Sequence, residues 1–296
     1  MMRQILSNLH RVTDRDFVRN QCNKRLLGGV YYEYFSSADG IDVMDEEWDT
    51  LLVLDACRYD TFVELKPDSW PSASAVTSRA PNTWEFYQRN FTNGPYPETV
   101  VVTANPRTVE LRGDEFHDVL KAYEFGWDDE TGTVPPWTMA EATTEAHERY
   151  PDKRILSHWI QPHYPFIGSS TVDEYRFDTE SIWADVNRGL VSPEDVYEAY
   201  TETLELTLPY VEDVFSNVGG RVVLTSDHGN AFGERPWFYP LKIYGHPRNV
   251  HLPCLVTVPW LVVDDGSRRE IEAGESRQVE VGEHARERLE DLGYVG

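Results

Sequence analysis

Asp55, Asp227 and His228 are the residues of this chain best suited by type and setting to share a cation. Asp55 closes the apolar run Leu51-Leu-Val-Leu and is followed by Ala-Cys57-Arg58-Tyr-Asp60; Asp227-His228-Gly229 closes a second run, Val222-Val-Leu-Thr-Ser. A carboxylate at the end of a buried strand is costly unless it is paired, hydrogen-bonded or metal-bound, although an Asp there also serves as the N-cap of a following helix. Gly229 permits a tight turn around an ion, and Asn230 and Glu234 stand close enough in sequence to extend the ligand set. Two carboxylates and an imidazole form a mixed oxygen and nitrogen set. It leans towards manganese or zinc, with magnesium and calcium also compatible, and one divalent metal site is expected.

A bound divalent ion can orient an anionic ester and lower the pKa of a coordinated hydroxyl or water. Hydroxyl nucleophiles are concentrated between Ser72 and Thr83, where Thr83 stands at the point at which Pro81-Asn82 gives way to a helical pattern. Amide groups at a helix N-terminus favour phosphate or sulfate there, and Asn82 or Thr83 could equally be the simple N-cap. Thr83 is the first nucleophile expected and Ser78 the second. Arg58 and Arg79 could contact a tetrahedral anion or pair with surface carboxylates. In Ser157-His158-Trp-Ile-Gln-Pro162-His163-Tyr164-Pro165-Phe166, two prolines frame His163, which suits it to contact a substrate oxygen or protonate a leaving group, whereas His158 reads as locally bonded. Tyr244-Gly245-His246-Pro247 repeats the framed histidine, with His246 a further site residue and His251 a weaker one.

These side chains need strand ends to hold them. Besides Leu51 to Asp55, the runs at Val100 to Pro106, Arg154 to Ile160, Arg221 to Thr225 and Leu252 to Val258 predict strands; Thr83 to Phe91 and Ser192 to Phe215 predict helices. Strands separated by helical stretches predict an α/β fold, a mostly parallel central sheet with helices on both faces, whose site lies beyond the C-terminal strand ends. Residues 1–45 read as an extension packed on the core, 46–262 as the catalytic core, and 263–296 as a polar excursion (Val262 to Gln278) plus a helix (Val279 to Leu292) closed by Gly293, belonging to the same domain.

With 296 residues the chain can bury a substantial core. Acidic residues outnumber basic ones 51 to 27, and lysine supplies only five of the cations, so Arg carries nearly all positive charge. That balance disfavours nucleic acid, which needs a basic footprint, and suits a salt-adapted, halophilic interior where ions screen self-repulsion. Cys22, Cys57 and Cys254 are too scattered for a disulfide framework. No run is long enough for a membrane span and the first ten residues lack a signal-peptide apolar stretch, which predicts a cytoplasmic protein.

Taken together, these motifs resemble the alkaline phosphatase superfamily, in particular its sulfatase-like and phosphonate monoester hydrolase-like branch of haloarchaeal type. Asp55 resembles that family's first metal-binding Asp, Ser226-Asp227-His228-Gly229 its second ligand pair, and Pro162-His163-Tyr164-Pro165 its substrate-contacting segment. Arg288-Leu-Glu-Asp-Leu-Gly-Tyr294 is similar to the terminal helix of archaeal sulfatase-like proteins. The resemblance implies an alkaline phosphatase-like fold and a metal-dependent hydrolase or transferase of phosphate-type or related anionic esters, phosphodiesters included, acting on a small molecule or a glycan or lipid head group. Cys57 lacks the Cys-x-Pro-x-Arg context of a sulfatase nucleophile, and the Asp-x-x-x-His pair of two-metal members is not found. Two alternatives stay open: a sulfatase-like protein without formylglycine, and a non-catalytic relative that binds an anionic glycan or a protein.

Overall fold

The computed structural model describes residues 40–168, 182–235 and 242–294, so most of the expected N-terminal extension lies outside the described residues. The apolar runs become strands β1 (Thr50–Asp55), β2 (Ser74–Thr77), β3 (Tyr96–Thr103), β4 (Phe116–Lys121), β5 (Arg154–Pro162), β6 (Arg221–Ser226), β7 (Ala231–Glu234), β8 (Ile243–Gly245) and β9 (Thr257–Asp264). The described helices are α1 (Tyr59–Leu65), α2 (Thr83–Asn90), α3 (Arg107–Arg112), α4 (Ala122–Phe125), α5 (Pro136–Arg149), α6 (Ile182–Arg188), α7 (Pro193–Asn217), α8 (Pro253–Val256) and α9 (Ala285–Asp291).

Seven strands form one sheet in the order β2-β9-β6-β1-β5-β3-β4, and β7 and β8 form a separate antiparallel pair. The five strands β6-β1-β5-β3-β4 run parallel, as crossovers through helices require, and β9 alone is antiparallel to its neighbours β6 and β2. Every residue of β1 is buried, and so is all of β5 after Arg154, which identifies strands covered on both faces. α5 and α7 pack against each other and on β5. This is the predicted fold class, with the sheet centre where the sequence is most continuously apolar.

Two elements differ from the sequence reading. The strand expected at Leu252 to Val258 is instead the helical turn α8 followed by β9. Pro253 accounts for this: it has no N–H to give a ladder and its fixed φ suits the first position of a helical turn, which it occupies. β9 then continues to Asp264, into the stretch expected to be a surface excursion, because it pairs with β6 and ends on a 2.8 Å ion pair between Asp264 and Arg221. The expected helix from Val279 shortens to α9. The residues before it form an extended strap that donates backbone hydrogen bonds from Glu272 to Asp152, Gly274 to Pro97 and Arg277 to Phe116, along the N-terminal ends of β5, β3 and β4. The strap thereby delivers α9 to the opposite end of the sheet, against α4.

Candidate active site

β6, β1 and β5 are sheet neighbours, so residues remote in sequence meet at their C-terminal ends. Asp55 ends β1, Asp227 follows β6, and His158 lies on β5 opposite Val53. Ligand atoms of Asp55, His158 and Asp227 all lie within 4.8 Å of one another, and His158 Nε2 is 3.8 Å from an oxygen of each carboxylate. His228 Nε2 joins them at 3.5 Å from Asp55 Oδ1 and 3.4 Å from Asp227 Oδ2. All four residues are fully buried.

Their bonding state is what a cation would complete. Asp227 Oδ1 accepts from the Ala56 and His228 amides, while Asp227 Oδ2 and His158 Nε2 have no hydrogen-bond partner among the described residues. Buried polar atoms without partners are costly, and here they face one another. Burial first, then the charge of Asp227, holds the Asp55 carboxyl well above the usual carboxylate range, against hydrogen bonds from Tyr294, Asn105 and Thr83 that favour the anion. A divalent ion neutralises both carboxylates and takes the open lone pairs, so the donor set fits one.

The imidazole of His228 is oriented for that task. His228 Nδ1 donates to the Gly229 carbonyl at 2.7 Å, which leaves the lone pair on Nε2. His158 Nδ1 sits 2.6 Å from the Tyr87 hydroxyl, which in turn accepts from the Thr108 hydroxyl at 2.8 Å. Such outer contacts fix ring orientation at metal sites. Gly229 has a reason different from turn formation: its φ is not positive, but a Cβ there would lie 2.1 Å from the Cys254 carbonyl oxygen.

The loop after β1 is held by polar ties to β6 and α7. Ala56 adopts φ +60°, a conformation unfavourable for a residue with a Cβ, and is fixed by its amide on Asp227 and by the Tyr200 hydroxyl donating to its carbonyl at 2.8 Å. Ser226 Oγ accepts from the Cys57 amide at 2.9 Å. Cys57 is buried in this loop, and burial raises its thiol pKa, so it stays protonated.

Among the hydroxyls, the structure separates Thr83 from Ser78. Asn82 is the N-cap of α2, its side chain accepting from the Glu85 amide at 3.0 Å, which leaves the Thr83 hydroxyl out of the cap. Thr83 Oγ1 lies 3.4 and 3.5 Å from the Asp55 oxygens and 3.2 Å from His228 Nε2. The Ser78 hydroxyl instead donates to the Asp227 carbonyl at 2.5 Å and braces the ligand loop.

The guanidinium of Arg58 turns away from the cluster to Asp60, Glu234 and the Asn230 carbonyl, and that of Arg79 to Asp42 and the Gly40 carbonyl. His163 and His246 do reach it: His246 lies 4.6 Å from His228 and 5.0 Å from His163 between ring centroids. His163 Nδ1 donates to the Tyr164 carbonyl at 2.5 Å, and burial pushes its pKa down to about 4. It is therefore neutral near pH 7 with its lone pair on Nε2. His251 lies with Arg89, beside Glu85, away from the carboxylate pair.

Four residues that sequence reasoning passed over or set aside belong to this constellation. His158 falls near a strand end in the sequence but reads as locally bonded within an aromatic-rich stretch; the register of β5 against β1, which sets it opposite Val53, brings it to the carboxylates. Tyr87 had a usable signal, being four residues after Thr83 and hence on the same face of α2. Asn105 donates to Asp55 Oδ2 at 3.2 Å just past β3, another strand end. Tyr294 donates its hydroxyl to the same oxygen, and nothing local foretells it.

No family model and no curated protein matches the chain. Solved structures do. The C-terminal periplasmic domain of EptC from Escherichia coli, solved with zinc, is similar with 15% identity, covering 76% of this chain and 75% of that one, at a TM-score of 0.50. The integral membrane lipooligosaccharide phosphoethanolamine transferase A of Neisseria meningitidis is 12% identical over 77% of this chain and 49% of that one, at 0.48. An alkaline phosphatase superfamily protein from Vibrio parahaemolyticus is 12% identical over 77% of this chain and 61% of that one, at 0.38. At these identities the likeness is one of fold alone: the EptC domain shares the α/β architecture of this chain, with the mostly parallel seven-stranded sheet described above.

Proposed function

We propose that the chain is a metal-dependent hydrolase or transferase of phosphate-type esters, of the alkaline phosphatase superfamily, with Thr83 as nucleophile. The observation that carries this reading is the Thr83 hydroxyl, free of helix capping and within 3.5 Å of both Asp55 and His228 beside the unpartnered Asp227 oxygen. Asp55, Asp227 and His228, with His158 alongside, would hold one divalent ion, zinc or manganese by donor chemistry. When bound, the ion supplies Lewis acidity that favours the Thr83 alkoxide and offsets the charge of the ester. The Thr83 oxygen forms a bond to phosphorus as the bond from phosphorus to the departing alcohol oxygen breaks. Asp55 is the hydrogen-bond acceptor in place for the Thr83 proton, and the departing alkoxide is protonated from solvent. Water or a second alcohol then bonds phosphorus as the bond from phosphorus to the Thr83 oxygen breaks, its own proton passing to solvent while the proton held by Asp55 returns to Thr83.

His163, stacked on Tyr294, and His246, against His228, would contact the oxygens of the transferring group. An arriving phosphate draws a proton onto His163 Nε2, because a nearby anion favours the imidazolium that burial otherwise disfavours. Arg58, held by Asp60 and Glu234, is not a contact to the anion in this reading, and Ser78 is a brace. A glycan or lipid head group is a suitable ester source. The test is turnover of an aryl phosphate, a phosphodiester and an aryl sulfate with added manganese or zinc, repeated with chelator and with Thr83→Ala. Turnover of a phosphate substrate that needs both metal and Thr83 is expected; metal-independent turnover, or none in any class, overturns the reading.

A further inference from the structure

Tyr294 enters the site on a turn that belongs to no strand of the sheet. Its hydroxyl donates to Asp55 Oδ2 and lies 3.5 Å from Thr83 Oγ1, and its ring stacks on His163 at 5.0 Å with the planes 10° apart. The phenol thus spans the gap between the Thr83 hydroxyl and the imidazole facing it, the space in which a transferring group must sit. Its hydrogen bond also occupies a carboxylate oxygen suited to the metal.

The turn carrying it is built rather than loose. The Tyr294 amide donates to the Leu289 carbonyl at 2.9 Å, and Arg107 donates to the Tyr294 carbonyl at 3.4 Å. Ala285, Leu289 and Leu292 anchor α9, and the Arg288 guanidinium lies 4.2 Å from the Trp127 ring centroid. A cavity of about 400 Å³, partly open to the surface, runs along this helix, lined by Trp127, Asp129, Tyr164, Pro165, Arg288 and Asp291 among others, so one side of α9 is not packed against protein. Gly293, at φ +75° with open space where a Cβ would be, joins the helix to Tyr294.

We infer that Tyr294 is an internal pseudo-substrate: its phenol holds the place of the transferring group between Thr83 and His163, and the turn after α9 withdraws to admit metal and anion. This rests on the functional reading above and adds a gate to it. An internal group that competes through one charge-assisted hydrogen bond lowers apparent ligand affinity by about ten- to hundredfold.

The test uses the full chain with Tyr294→Ala and Tyr294→Phe. Manganese, then inorganic phosphate on the manganese-loaded protein, is titrated by calorimetry, and hydrogen exchange is followed over residues 285–294. Tyr294→Ala should bind phosphate about ten- to hundredfold more tightly, with Tyr294→Phe, which keeps the ring, showing a smaller gain. Manganese plus phosphate should speed exchange of 285–294 in the unmodified chain. Phosphate affinity that falls or stays level in Tyr294→Ala overturns the gate and makes the phenol a positioning group or a bystander. Tighter phosphate binding without turnover of an aryl phosphate in any variant upholds the gate and removes the esterase reading. Absence of both manganese and zinc uptake in every variant removes both.

Discussion

Replacing Asp227 by Asn should stabilise the metal-free protein and abolish its response to metal. Asp227 Oδ1 keeps its two amide donors in such a variant, and the new amide nitrogen takes the position of the unpartnered Oδ2, facing Asp55. Two full charges no more than 4.8 Å apart, at an effective dielectric of about 20, repel by about 3.5 kcal/mol or more. A proton held on Asp55 relieves part of this, so the gain at pH 7 should lie between about 1 and 3.5 kcal/mol, or about 2–7 °C in melting temperature for a chain of this size. The pH dependence has a definite sign. Because Asp55 is raised well above its ordinary value, the native state keeps a proton that the unfolded chain gives up at about pH 3.9. Raising the pH from there to the raised native pKa therefore costs the unmodified protein about 1.4 kcal/mol per unit, until Asp55 ionises in both states. Asp227→Asn lowers the Asp55 pKa towards the ordinary range, shortens that window, and widens its advantage as pH rises. The assay is thermal and urea unfolding in chelator from pH 4 to 8, repeated with excess manganese or zinc. At a hundredfold excess over Kd the unmodified protein should gain about 2.7 kcal/mol and the variant nothing. A variant that melts at or below the unmodified protein in chelator, or that keeps the metal-induced rise, refutes the placement of two facing carboxylates around one ion.

Three further substitutions probe other parts of the arrangement. Thr83→Ala should abolish turnover with the fold and melting temperature retained, whereas Ser78→Ala should cost about 1–3 kcal/mol by leaving the Asp227 loop unbraced; kinetics and melting measured on both variants separate the roles, and equal kinetic losses would dissolve the distinction. Tyr87→Phe, which removes the hydroxyl beside His158 Nδ1, should weaken metal binding about 10- to 100-fold in a calorimetric titration without disturbing the helix. Gly229→Ala places a methyl 2.1 Å from the Cys254 carbonyl oxygen, so the ligand loop must shift; a loss of about 1–3 kcal/mol together with weakened metal uptake is expected.

The strands that lie in the middle of the sheet were legible because being buried on both faces leaves an unbroken apolar run, as in β1 and β6. β2 was not: three of its four residues are exposed and it is an edge strand, held by its pairing with β9 rather than by its own pattern. The two ends of the ligand set at Asp55 and Asp227 could be read because a carboxylate closing such a run is conspicuous. His158 could be placed near a strand end but not at the carboxylates, since that follows from β5 lying beside β1 in a register that sets it opposite Val53, and strand order is a property of the whole chain. Arg58 misled for the converse reason. It follows a ligand by three positions, but Asp60 and Glu234 offer its guanidinium nearer partners than the cluster does. Tyr294 depends on the strap that carries α9 around the sheet, a route fixed by scattered backbone bonds at Pro97, Phe116 and Asp152 with no side-chain signature.

The spread of the candidate ligands over three parallel neighbours has a bearing on when the protein could acquire an ion. β5 is separated from β1, and β6 from β5, by long stretches of chain, and parallel pairings of this kind bear their loop-closure entropy before any contact rewards it. No shorter stretch of the chain presents the donors together. An ion therefore has no partial cage to nucleate, in contrast to small domains that metal folds outright. During synthesis the cage cannot exist before Asp227 has left the ribosome and β6 has docked on β1, so capture of an ion by these residues would mark the moment at which the centre of the sheet is complete.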